Sequence, residues 1–117
     1  MGVDQYTSTH RFVTQPDGGT IALERDASDT TGVRTIRDHL RGISTAFAAG
    51  DFGASTTVHA QSVPGTNVMR TRRQLIRYEF RALPGGGEVR ITTSDPEALR
   101  AVHEFLAFQR GDHRTGR

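Results

Sequence analysis

The chain has 117 residues and a mass of 12.8 kDa, the size of one domain, which argues against a two-lobed enzyme closing on its substrate. The hydrophobic share is 34%, and Leu, Ile, Val and Phe together make about 21%, just above the level at which persistent disorder is expected, so a modest core of Phe and aliphatics is predicted. All fifteen basic residues are Arg, cysteine is absent and the net charge is +2, which excludes Lys Schiff bases, Cys nucleophiles, thiolate zinc sites, iron–sulfur clusters and disulfide scaffolds.

A pI of 9.9 overstates the basicity, because only Arg titrates at the basic end, and does not by itself call for a nucleic-acid partner. No apolar run approaches the roughly eighteen residues of a membrane span, and Met1 to His10 is polar. The expectation is a soluble, cytoplasmic protein of a bacterial-type cell with no membrane partner.

In chain order, residues 1–8 read as a tail. From Thr9 to Asp26, two runs of β-type residues flank Pro16-Asp17-Gly18-Gly19, in which Pro sets φ and glycine accepts positive φ: a hairpin. Ser28 or Asp29 can then cap a helix whose apolar positions Val33, Ile36, Leu40, Ile43 and Phe47 recur every three or four residues, stopping near Gly50. Asp51 to Gln74, rich in Gly, Ser and Thr, is long for a connection and predicts a functional loop or a short element within it.

A second hairpin spans Leu75 to Thr93 around Leu83-Pro84-Gly85-Gly86-Gly87, with Ile76, Tyr78 and Phe80 on one face and Arg77, Glu79 and Arg81 on the other. Ser94 or Asp95 caps a second helix with Pro96 in its first turn, Leu99, Val102, Phe105 and Leu106 in its buried stripe, and an end at Gly111. The two helix ends share letters, Ala46 to Asp51 beside Ala107 to Asp112. The predicted fold is α+β: two ββα units forming a four-stranded antiparallel sheet with two helices packed on one face, in a single domain of residues 9–113 followed by a tail, 114–117. The wet sheet face, bearing Arg77, Glu79, Arg81 and Arg90, leaves room for a homodimer.

With thiolate and amine excluded, the histidines are the main reactive groups. His39 and His103 lie on or beside the apolar stripes of their helices and can face each other if the helices pack side by side; His59 lies in the long connection and His113 beyond the second helix. His10 begins the first hairpin. Asp38 and Asp112 each precede a histidine; neighbours on a helix point about 100° apart, so each Asp is a candidate to orient a different imidazole from behind. No compact metal signature such as His-Glu-x-x-His is present.

The stretches Ile36-Arg37-Asp38-His39-Leu40, Phe47-Ala48-Ala49-Gly50-Asp51-Phe52, Val58-His59-Ala60-Gln61-Ser62-Val63-Pro64-Gly65 and the closing Asp112-His113 carry a resemblance. The chain resembles a family of small, poorly characterised bacterial proteins with the pattern I-x-x-H-L, F-x-x-G-D-F, I-H-G-x-x-M-P-G, a hairpin and a terminal helix ending in D-H. This chain departs from it with Ala60 for Gly and Val63 for Met. The resemblance implies that His39, His59, His103 and His113 belong to one site. Some members carry the label aspartate carbamoyltransferase; that enzyme has two much larger lobes, and of its Ser-Thr-Arg-Thr-Arg phosphate motif only Arg70-Thr71-Arg72 occurs here, so the label is not carried over.

The leading expectation is therefore a small metal-binding protein in which His39, His59, His103 and His113 gather a divalent transition metal, Zn, Cu, Fe or Ni, with haem on one axial His as a variant. Whether turnover accompanies binding is left open. The alternatives are a metal-free α+β module binding a small molecule or partner, and an anion or nucleic-acid binder using Arg70, Arg72 and Arg73 within the Arg70–Arg77 run. Nucleic acid is disfavoured because no aromatic platform accompanies the arginines.

Overall fold

A computed structural model describes residues 8–52 and 63–115, with side chains to 111. The element order is β1 (Thr9–Gln15), β2 (Gly18–Glu24), α1 (Thr30–Ala48), α2 (Thr66–Thr71), a 3-10 turn (Arg73–Leu75), β3 (Ile76–Leu83), β4 (Gly86–Thr93) and α3 (Pro96–Thr115). The strands form one antiparallel sheet in the order β1-β2-β4-β3, with the helices against it, as the two ββα units require.

Both helix starts are capped as the sequence suggests. Asp29 accepts from the Gly32 N–H at 3.0 Å and Asp95 from the Ala98 N–H at 2.9 Å, each satisfying a donor the helix cannot. At its C-terminus α1 closes by a Schellman arrangement: Gly50 N–H donates to Phe47 and Asp51 N–H to Ala46, with Gly50 at φ 83°. Gly111 does not end α3, which continues to Thr115. Glycine stops a helix only where it takes a left-handed φ; Gly111 lacks a positive φ, and inside a helix it costs only about 1 kcal/mol. The long connection contains a short element, α2, as its length suggested; six residues are too few to show a period that would place it from sequence.

An approximate two-fold axis relates the halves, passing through the β2–β4 pair where Ile21 lies opposite Val89. Phe12, Pro16, Gly18 and Gly19 correspond to Phe80, Pro84, Gly86 and Gly87, and the two helix caps correspond as Asp29 and Asp95. The contacts obey the same symmetry. Arg25 N–H donates to the Gly85 carbonyl at 2.9 Å and Thr93 N–H to the Asp17 carbonyl at 3.0 Å. Arg37 of α1 reaches the Leu83 carbonyl that ends β3, at 2.6 Å, and His103 of α3 reaches the Gln15 carbonyl that ends β1, at 2.7 Å. Each helix thus holds the other half's hairpin: α1 lies mainly over β3 and β4, and α3 mainly over β1 and β2. The shared letters at the helix ends set a different register, since counting from the caps aligns Phe47 with position 113 rather than with Phe108.

The core fills the layer between sheet and helices. Ile21, Leu23, Val89 and Ile91 of the central strands meet Ile36, Leu40 and Phe47 of α1 and Val102, Phe105 and Leu106 of α3, all buried. The outer sheet face carries the predicted charges, paired as Arg11–Glu24, Arg81–Glu79 and Arg90–Asp17. Exposed pairs of this kind are worth about 0–1 kcal/mol, so the fold rests on the inner face. The Arg90 guanidinium beside Asp17 holds that carboxyl below the usual range. Among the described residues, no helix is long and apolar enough to cross a membrane.

Candidate functional site

His39 sits on α1 between Ile36 and Leu40, both fully buried. Its Nε2 is buried and has no hydrogen-bond partner among the described residues. Burial lowers its pKa below the ordinary value of 6.5, so the imidazole is held neutral, the form that coordinates a metal. Arg37 and Arg41 turn to the β3 side of the helix, Arg37 to the Gly86 and Leu83 carbonyls and Arg41 over the Phe80 ring at 4.7 Å. His39 is about 200° around the helix from each, on the flank towards α3.

The sign of the pH effect follows from that depressed pKa. Below 6.5 the unfolded chain takes up a proton at this position and the folded chain resists it, so stability is full above about 6.5 and falls as pH drops through the unfolded and then the folded pKa. Thermal melts between pH 8 and pH 5 should show a loss of Tm towards acid that is smaller in His39→Gln. Parallel profiles for the two proteins would contradict the burial of this imidazole.

His103 has a different task. A carbonyl only accepts, so His103 donates from Nε2 to Gln15, and Nδ1 alone remains for any other ligand. It lines an open groove with Leu99, Arg100 and Glu104, along the β1 edge of α3. The structure therefore does not bring His39 and His103 face to face: the helices share one side of the sheet, but each lies over the opposite hairpin and they turn different flanks to it.

His59 lies outside the described residues, and position 113 is described only as part of the α3 backbone. Asp38 pairs with Arg41 at 3.2 Å rather than with an imidazole, and the side chain of Asp112 lies outside the described set. Among the described residues, no group of three or more His, Asp or Glu stands close enough to hold a metal ion.

The arginine run is engaged in the fold. Arg72 grips Asp95 at 3.1 Å and Glu97 at 2.8 Å, tying the end of α2 to the start of α3; Arg70 bonds Asn67 and Arg73 bonds the Arg70 carbonyl. A cleft that sequence reasoning missed, of about 330 Å³, lies instead beside α1, lined by Thr30, Arg34, Arg37 and Arg41 with Pro84. The spacing of its arginines along one helix flank was legible, but the cleft is completed by the turn of the other hairpin.

At the far end of α1 the Tyr78 hydroxyl is buried without a hydrogen-bond partner among the described residues, and burial raises its pKa. Tyr78→Phe removes a desolvated hydroxyl that makes no bond, so it should leave stability unchanged or raise it by about 1 kcal/mol in urea unfolding. A loss of more than about 1 kcal/mol would mean that the hydroxyl has a partner after all.

Compared with family models, curated proteins and solved structures, the chain matches none.

Proposed function

We propose that the chain is a small metal-binding protein whose site is built from histidine imidazoles on a divalent transition ion, with His39 as its anchored member. The observation that carries this reading is the buried His39 Nε2, held neutral and without a partner among the described residues. A buried ring nitrogen with nothing to bond is destabilising unless something completes it, and a metal ion does so. The residue set supports a nitrogen-rich site, having no thiolate and five imidazoles, which favours Zn, Cu, Fe or Ni over Mg or Ca. The resemblance noted above groups His39, His59, His103 and His113 in one site. His103, occupied by Gln15, is the weakest of the four candidates.

The test is the melting of metal-stripped protein, made without a His tag, with and without Zn²⁺, Cu²⁺, Fe²⁺ and Ni²⁺. Binding to the folded state alone adds about 2.7 kcal/mol at a hundredfold excess over Kd, so Tm should rise with at least one ion and stay flat with Mg²⁺. A Tm indifferent to all four ions would overturn the proposal.

A second reading, a small anion held without metal, rests on the cleft at Thr30, Arg34, Arg37 and Arg41. Arg34→Ala should abolish inorganic phosphate binding there without changing any response to metal.

A further inference from the structure

The two-fold axis also relates the concavities that flank the two long helices. Counting from the caps Asp29 and Asp95, Thr30, Val33, Arg34, Arg37 and Arg41 correspond to Pro96, Leu99, Arg100, His103 and Ala107. The first five line the cleft of about 330 Å³ beside α1, and the second five line the groove of about 450 Å³ beside α3. One architecture therefore builds both, and their difference lies in charge. Three arginines against Asp38 leave the α1 flank at a formal +2, whereas Arg100 against Glu104, the equivalent of Asp38, leaves the α3 flank at zero with histidine neutral.

The fold does not require that surplus. Arg37 and His103 hold equivalent positions and make equivalent contacts, Arg37 to the Leu83 carbonyl at 2.6 Å and His103 to the Gln15 carbonyl at 2.7 Å. An imidazole N–H suffices in one half. In the other, the half-buried Arg37 guanidinium brings a positive charge whose printed partners, the Gly86 and Leu83 carbonyls, do not neutralise it, and a charge taken out of water is costly until it is paired. Arg34 and Arg41 stand three and four residues to either side, a spacing that keeps all three on one flank. Arg34 has no ion pair or hydrogen bond among the described residues. Arg41 meets Asp38 in an exposed pair that an arriving anion can displace. The remaining wall, Ala27, Val33 and Pro84, is apolar.

We propose that the cleft beside α1 binds a small aliphatic phosphomonoester, its phosphate held by Arg34, Arg37 and Arg41 and its carbon body against Val33 and Pro84. The inference rests on the second reading above, a small anion in this cleft, and names the ligand class. A phosphomonoester carries about −1.5 to −2 at pH 7, which matches the uncompensated charge of the flank, and guanidinium forks bind phosphate oxygens in pairs. No aromatic residue lines the cleft, so a nucleobase has nothing there to stack on.

The experiment is calorimetric titration of metal-stripped, untagged protein in EDTA at about pH 8, where imidazoles are neutral, with propyl phosphate, inorganic phosphate and succinate. One propyl phosphate per chain should bind, at least about fourfold tighter than inorganic phosphate, because each buried methylene contributes about that factor. Succinate should bind at least about tenfold more weakly than the ester. Arg34→Gln and Arg37→His should each weaken propyl phosphate by at least about tenfold, and Arg100→Gln, at the equivalent position in the other groove, should leave it within about twofold. Arg37→His places in α1 the residue that α3 uses for the same carbonyl contact, so it removes the charge and keeps a donor; should it fail to fold by circular dichroism, Arg34→Gln, at an exposed position, decides alone. Propyl phosphate that binds no tighter than inorganic phosphate or succinate overturns the phosphomonoester assignment, while phosphate binding that depends on Arg34 keeps the anion reading. Binding that survives Arg34→Gln or is lost in Arg100→Gln overturns both, as does a wild type that binds neither phosphate nor ester.

Discussion

Phe47→Ala is expected to destabilise the protein by about 3–5 kcal/mol, a large part of the roughly 5–15 kcal/mol that holds a domain together. Phe47 is 1% exposed and lies where α1, α3, β3 and the start of the long connection meet, with Phe52, Tyr78 and Phe105 around it. Removing the ring leaves a cavity walled by three other rings on different elements, which cannot all move in to close it. Urea unfolding measures the effect directly; a loss below about 1 kcal/mol would show that the aromatic cluster does not join the two halves. Phe47→Leu, which keeps most of the volume, should recover part of the loss.

Gly65→Ala is the second large effect. Gly65 caps α2 at φ 86°, a backbone region costing a non-glycine residue about 1–3 kcal/mol. An added Cβ would also press into the Ala101 carbonyl on α3. That contact is with backbone, so no rotamer change relieves it, and α2 must lift from α3. The combined cost is expected to be about 2–5 kcal/mol. A near-neutral result would mean that α2 is not packed on α3 through this glycine. The Pro64-Gly65 pair is thus the point where the long connection locks to α3.

The elements were legible in the sequence because each carries a local signal: the Pro-Gly turns of both hairpins, the Asp caps, the three-and-four spacing of Ile36, Leu40, Ile43 and Phe47, and the alternation around Tyr78. The layering followed, since two ββα units have few other ways to bury their apolar faces. Long-range placement was not legible. Nothing local to His103 says that a carbonyl at the end of β1 will take its Nε2, or that each helix crosses onto the other half's hairpin. The repeat was visible as shared letters at the helix ends, but those letters set the wrong register. The caps and the Pro-x-Gly-Gly turns set the right one, because they are fixed by backbone geometry.

The same distinction governs the candidate site. His39 was legible as an imidazole beside an apolar stripe, and the structure adds that its Nε2 is buried and has no partner among the described residues. The arginine run suggested an anion surface, yet Arg72 is drawn into Asp95 and Glu97, a pairing between segments that only the fold brings together. The arginines beside an actual cleft are those of α1.

The most direct test of the central claim is the metal stoichiometry of untagged, metal-stripped protein after equilibration with Zn²⁺ and gel filtration. One tightly held ion per chain is predicted, retained at pH 7.5 and released as the imidazoles protonate below about pH 6. Protein that emerges free of metal at pH 7.5, whichever of Zn²⁺, Cu²⁺, Fe²⁺ or Ni²⁺ was offered, would contradict the account.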